Sequence, residues 1–221
     1  MRAILIILLF FSFFTAKSQE NIFSINFDEI KFKKVKEFIN NQKANKIIHF
    51  MDVKGSYDAA QNKTYKKHKQ SYLILKPIDE VWKSYISTSP AKSWNGNMLN
   101  FGCLISKKSN RVSYLHDAYE GAEEGQVFYV NLKLLKGLYN LAVAFEVTKL
   151  SNEKHTIEYS YVKGGKTSGK QWMEMEETPE GYTRISHYTL YKSSSELRDV
   201  LLYPYIHELA ITEFHQNMLN L

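Results

Sequence analysis

Four strand-length segments in a row, LAVAFEVTKL, HTIEYSYVKG, KQWMEMEET and TRISHYTLYK, constrain this chain more than any other feature of its sequence. Each is rich in β-branched, aromatic or alternating apolar residues, and turn formers separate them at Ser151-Asn152, Gly164-Gly165 and Glu180-Gly181. Connections this short join antiparallel neighbours, so the segments predict a meander. Ile157, Tyr159 and Tyr161 share one face, and Met173 and Met175 lie opposite Trp172, Glu174 and Glu176. Alternation alone leaves open which face turns inward.

A long helix follows, predicted from about Ser194 to Asn220. Ser193 and Glu196 match the S-x-x-E capping box, and Pro204 removes one backbone hydrogen bond, which predicts a kink about two turns in. Ahead of the meander, QSYLILKP reads as a strand ended by Pro77. The next segment, IDEVWKSYIS, is an amphipathic helix with Ile78, Val81, Trp82, Tyr85 and Ile86 on one stripe and Asp79 and Glu80 in the first turn. Ser89-Pro90 ends it. FGCLIS and RVSYLH read as strands around the turn Lys107 to Asn110, and QVFYVNLKLL as a third. Nearer the N-terminus, Phe27 to Asn41 predicts one amphipathic helix capped by Asn26, and Ile47 to Val53 a short strand.

The first residues have a different character. Arg2 precedes an apolar run from Ala3 to Phe14, and small residues stand at Ala16 and Ser18, as in a cleavable secretory signal peptide. The run is shorter than the roughly 20 residues a helix needs to cross a bilayer. The expected product is soluble and secreted or periplasmic, with residues 1–18 removed, 19–68 an N-terminal extension and 69–221 the main domain. The single cysteine, Cys103, cannot form an internal disulfide, so stability must come from packing.

The chain carries 29 Lys and Arg against 23 Asp and Glu, and two of the cations, Arg2 and Lys17, fall in the leader. The remainder is mildly basic, with lysines crowded between Lys31 and Lys76 and carboxylates at Glu120, Glu123 and Glu124. Such a segment is usually a solvated face; weak contact with anionic surfaces is the minority reading. No nucleic-acid-binding module is recognisable, and no nucleic acid is expected.

The order of elements, with SYLILKPIDEVWKSYISTSPAKSW at one end and RDVLLYPYIHELAITEFHQNML at the other, resembles the START-like, or SRPBCC, superfamily. The resemblance covers the chain from Lys69 onward. It implies an α+β helix-grip fold, an antiparallel sheet curled around the long final helix, with a cavity between them for an apolar or amphipathic, lipid-like small molecule. A fold does not by itself give a function.

Candidate contacts follow from spacing. Tyr203, His207, Ala210, Phe214 and Met218 form one stripe on the final helix, which sets His207 in an otherwise apolar row with Tyr203 one turn away. The candidate ligand-binding residues are Tyr203, His207, Phe214, His187, Tyr161 and Trp94. Gln171 and Glu158 also lie in the meander, but Glu158 and Tyr161 cannot both face inward. His215 reads as too far along the axis to share a small site with His207. HELAITEFH lacks the H-x-x-x-H spacing of zinc helices, so neither a metal nor another cofactor is expected. Arg198 and Asp199 suggest a structural salt bridge. Cys103 reads as inert packing, and GGKTSGK as a hairpin turn rather than a phosphate loop.

Three functions fit: an exported carrier of an apolar small molecule; a cofactor-independent cyclase or hydratase with His207 as acid/base, for which no catalytic partner is identified; or a structural protein that binds anionic surfaces and has no cavity.

Overall fold

The computed structural model describes residues 21–219, so the predicted leader lies outside the described residues. The core is an eight-stranded antiparallel sheet: β1 (Lys66–Ile74), β2 (Leu99–Ser106), β3 (Arg111–Ser113), β4 (Gln126–Leu134), β5 (Tyr139–Ser151), β6 (Thr156–Tyr161), β7 (Ser168–Glu177) and β8 (Thr183–Lys192). The strands lie in the order β1-β8-β7-β6-β5-β4-β2-β3. The helices are α1 (Lys33–Ala44), α2 (Ile78–Ser87), α3 (Pro90–Ser93) and α4 (Tyr203–Leu219). None is long and apolar enough to cross a membrane.

Burial along each strand reports what covers it. β7 alternates buried and partly exposed residues because only its inner face is packed, whereas every residue of β2 is buried because both faces are covered. The inner face meets α2, α3 and α4 through a core that includes Val81, Trp82, Phe101, Phe128, Ile157, Met173, Ile185 and Phe214. The outer face of β2, β4 and β5 meets the N-terminal extension, where Ile22, Ile30, Val35, Ile39, Phe50 and Val53 pack on Cys103, Ile105, Val127 and Tyr129. Residues 21–65 are therefore half of a second core.

This second core depends on one close approach. β2 bulges between Phe101 and Cys103, and a Cβ on Gly102 would lie 2.9 Å from both Val35 Cγ1 and the Tyr129 carbonyl oxygen. Only glycine lets α1 sit this near the strand. The lysine-rich segment also gains a structural reason: Lys66, Lys67 and Lys69 lie on the edge strand β1, where lysines discourage pairing with another sheet.

The N-terminal elements differ from expectation. The helix foreseen over Phe27 to Asn41 is a 3-10 turn at Phe27–Glu29, whose Asp28 amide donates to Asn26 Oδ1, followed by α1. The segment foreseen as a strand over Ile47 to Val53 makes only a single bridge, His49 to Asn21, before the 3-10 turn Phe50–Asp52, where Phe50 packs into the outer core. Around the final helix, the expected capping box does not form. Glu196 pairs with Lys66, and the Ser193 amide donates to the Asp199 carboxylate at 2.7 Å. Arg198 and Asp199 do not pair; Arg198 donates to the Lys166 carbonyl. The irregularity expected at Pro204 takes the form of a π turn, Arg198–Leu202, immediately before it, in which the Tyr203 amide reaches back to the Arg198 carbonyl.

Candidate functional site: a histidine relay between sheet and helix

Strands β7 and β8 place Gln171, Met173, Met175, Ile185, His187 and Thr189 on the inward face, with Met173 opposite His187 and Gln171 opposite Thr189. Against them α4 brings Tyr203, His207 and His215, α2 brings Tyr85, and β1 brings His68 and Tyr72. Four histidines thus meet where the sequence alone suggested two.

The hydrogen bonds form one connected line. Gln171 Oε1 lies 3.1 Å from His187 Nε2 and 3.2 Å from His207 Nε2. His187 Nδ1 lies 3.0 Å from His215 Nε2, and His215 Nδ1 meets the Tyr85 hydroxyl. With Gln171 Oε1 as the acceptor, both Nε2 atoms facing it carry protons, and the Thr189 hydroxyl lies 3.4 Å from the Nε2 of His207 as a second neighbour. A neutral imidazole carries one proton, so His187 Nδ1 is an acceptor and takes the Nε2 proton of His215. His215 Nδ1 then accepts from Tyr85. His207, with its proton on Nε2, is left with a bare lone pair on Nδ1, which is buried and has no hydrogen-bond partner among the described residues.

Burial keeps these rings uncharged. It drives His187 and His207 well below the usual histidine range, and the neighbouring histidines add to the effect. Burial and the nearby His207 push His215 down to about 3. The tyrosines move the other way: burial raises Tyr85 and Tyr203 well above the phenol range and raises Tyr161 as well. The result is a polar but electrically neutral patch in an apolar interior.

The patch continues into a line of rings. Tyr203 stacks on His207 at 5.0 Å between centroids and on Tyr191 at 3.7 Å, and its hydroxyl bonds that of Tyr161. Tyr161 lies 5.2 Å from Phe145, which stacks on Trp94 at 5.7 Å, and Trp94 in turn meets Phe214 at 4.4 Å. All six residues singled out by spacing, Tyr203, His207, Phe214, His187, Tyr161 and Trp94, therefore face the same interior. Trp94 packs as a core ring. Glu158 points outward and pairs with Lys170 at 2.6 Å.

Two contributors, His215 and His68, lie outside the sequence-based set, and Gln171, named there only as a meander residue, proves central. His215 joins His207 because Gln171 and His187 on the sheet span the two turns of helix that separate them, a link absent from helix spacing. Gln171 had a readable signal, since it shares parity with Met173 and Met175. His68, whose ring stands edge-on to His207 at 5.4 Å, had only its alternation with Tyr72 in β1.

The rings occupy much of the space foreseen as a cavity. An open groove of about 460 Å³ lies elsewhere, lined by Phe38, Asn41, Asn45 and Lys163. A hollow of about 10 Å³, room for at most one water, lies where the β6–β7 turn meets β5. Among the described residues, no three His, Cys, Asp or Glu side chains are grouped to hold a metal. The histidines bond in sequence instead of converging on a point.

No protein family matches the chain by sequence, and no curated protein does. Solved structures do match in shape. Major latex-like protein 151 from Panax ginseng is 13% identical with a TM-score of 0.52, over 71% of this chain and 96% of its own. Truncated norcoclaurine synthase from Thalictrum flavum is 12% identical with a TM-score of 0.51, over 70% of this chain and 91% of its own. At such identity the likeness speaks for architecture alone, and with the antiparallel sheet and long closing helix it identifies the START-like helix-grip fold.

Proposed function

We propose that this protein is exported and binds an apolar or amphipathic, lipid-like small molecule non-covalently between the sheet and α4, with His207 Nδ1 accepting a hydrogen bond from the ligand. The observation that carries this reading is the bare, buried Nδ1 of His207 at the end of the relay, joined by the equally unpartnered Nδ1 of the adjacent His68 among the described residues. A buried acceptor without a partner costs about 1–3 kcal/mol, a cost a ligand hydroxyl would remove. Next to it, the Tyr161–Tyr203 pair uses one hydroxyl proton between its two oxygens and keeps the other uncommitted.

An acceptor beside a donor, with no charge in either, suits an uncharged polar group such as an alcohol better than a carboxylate. The rings of Trp94, Phe145 and Phe214 would contact the apolar body of the ligand. Admission requires the first half of α4 to move outward, and the π turn with Pro204 gives that segment its weakest backbone hydrogen bonding.

Carriage is favoured over acid/base catalysis because a general base works best with a pKa near the operating pH, and burial holds His207 far below it. The relay also runs from Tyr85 through Gln171 to His207 without reaching a carboxylate. The test is titration with a fluorescently labelled fatty alcohol. Wild-type protein is expected to bind saturably, and His207→Leu about tenfold more weakly, the worth of one buried hydrogen bond, with its melting temperature lowered by no more than a few degrees. Equal binding by the variant, or a change in melting temperature alone, would overturn the reading. Export is tested separately by sequencing the N-terminus of protein recovered outside the cytosol, where cleavage after Ser18 is expected.

A further inference from the structure

One end of the sheet, where the final helix begins, exposes apolar side chains among cations. The β4–β5 hairpin rises past β6 there, because Phe145 rather than Tyr139 pairs with Tyr161. At its tip Leu135, Lys136 and Gly137 have φ of 51°, 57° and 91°. Two of these are not glycine, and each pays a conformational cost to be left-handed. The strained tip turns its leucines to water: Leu135 is 75% exposed and Leu138 is 89% exposed.

At the same end Leu201, Leu202, Tyr205 and Leu209 fall within about 100° of arc on the side opposite Tyr203, His207 and Phe214. All four are exposed, Tyr205 by 66%. Arg198 donates to the Lys166 carbonyl and so ties the start of this helix to the β6–β7 turn. Register places Lys66, the first residue of β1, and Lys192, the last of β8, at this end, together with Lys163 and Lys166 in that turn. Lys136 stands on the hairpin tip itself. Of these cations Lys66 is paired with Glu196, while at the opposite end carboxylates and cations mix, with Glu123, Glu124, Glu153, Glu177 and Glu180 among Lys107, Lys108 and Lys154.

We propose that this end of the molecule docks on an anionic lipid bilayer, with Leu135, Leu138 and the outer face of the helix entering the interfacial layer while Lys136, Lys166 and Arg198 lie over the headgroups. Exposed leucines held out by a strained turn and ringed by cations fit a surface that is apolar beneath and negative above. The excess of cations at this end over the mixed charges of the far end orients the approach. The inference does not depend on a ligand in the interior.

The native thiol, Cys103, is fully buried, so a single introduced cysteine can carry an environment-sensitive fluorophore in the full chain. Labelled Leu138→Cys is expected to shift to the blue on phosphatidylcholine vesicles containing phosphatidylglycerol, more weakly on phosphatidylcholine alone, and less at high salt. Labelled Leu75→Cys, a leucine at the far end that is 69% exposed, is expected to stay silent. Adding Lys136→Glu to the Leu138→Cys protein is expected to lower partitioning several-fold, since each cation near an anionic surface contributes about one factor of five. A silent label at position 138, an equal response at both positions, or indifference to phosphatidylglycerol would overturn the proposal. So would a shift without vesicles that grows with protein concentration, which would mean the patch meets a second copy of the chain.

Discussion

The two faces of the sheet solve the same packing problem with different residues. On the outer face, α1 and the 3-10 turns cover β2, β4 and β5 with aliphatic and aromatic groups, and the buried polar contacts are few and local: Tyr129 donates to Gln42 at 2.8 Å, and Lys107 joins the Val53 carbonyl and Glu146. On the inner face, three buried histidines, a buried glutamine and several tyrosines stand in an interior of similar depth, with the partly exposed His68 at its edge. A face built for stability alone would have no use for them, since buried imidazoles contribute little beyond what leucine would and make the fold sensitive to acid. The contrast is what the proposed ligand site on the helix side rests on, and the N-terminal extension supplies the apolar cover of the outer face.

Acid should expose the difference most strongly. His187, His207 and His215 have native pKa values below their unfolded ones, so the unfolded state binds more protons in acid. Full stability is therefore expected above about pH 6.5, with a loss of up to about 1.4 kcal/mol per pH unit for each of the three as pH falls below that. Urea unfolding between pH 7.5 and 4.5 checks this, a window above most carboxylate titration. A flat profile would mean that the relay is already charged or open to water.

The outer face should respond to truncation. Phe50→Ala is expected to cost about 3–5 kcal/mol in chemical denaturation, as for a fully buried ring, and to leave ligand binding intact. If it cost almost nothing, the extension would be an appendage and the comparison would fail.

Within the relay the effects should be smaller and unequal. His187→Leu strands the His215 Nε2 proton and should cost about 1–3 kcal/mol. His207→Leu should cost under about 1 kcal/mol, because Gln171 keeps its bond from His187 and an orphan nitrogen disappears with the ring. Thermal melts of both variants, read together, test whether His187 holds the relay together while His207 faces the ligand.

The sequence carried the fold further than the site. Alternation in KQWMEMEET and TRISHYTLYK, and the stripe in IDEVWKSYIS, fixed strand and helix identity because side-chain direction is a local property. The N-terminal extension was misread where local pattern gave way to tertiary demand: Phe50 and Val53 serve a core made by other strands, and Gly102 matters through a contact with Val35 far away in the chain. The site was half legible. The stripe from Tyr203 to Met218 pointed to His207 and Phe214, but the relay is a product of register, Met173 opposite His187 and Gln171 opposite Thr189. No spacing within one helix could place His215 in it.

The central claim is that neutral His207 presents an unprotonated Nδ1 to the interior. Nitrogen-15 NMR of the histidine rings tests it most directly. The account predicts the Nε2–H tautomer for His207 throughout pH 7.5 to 6, and a shift of its Nδ1 resonance toward the hydrogen-bonded range when a fatty alcohol is added. An Nδ1–H tautomer, or an imidazolium at pH 6, would contradict it.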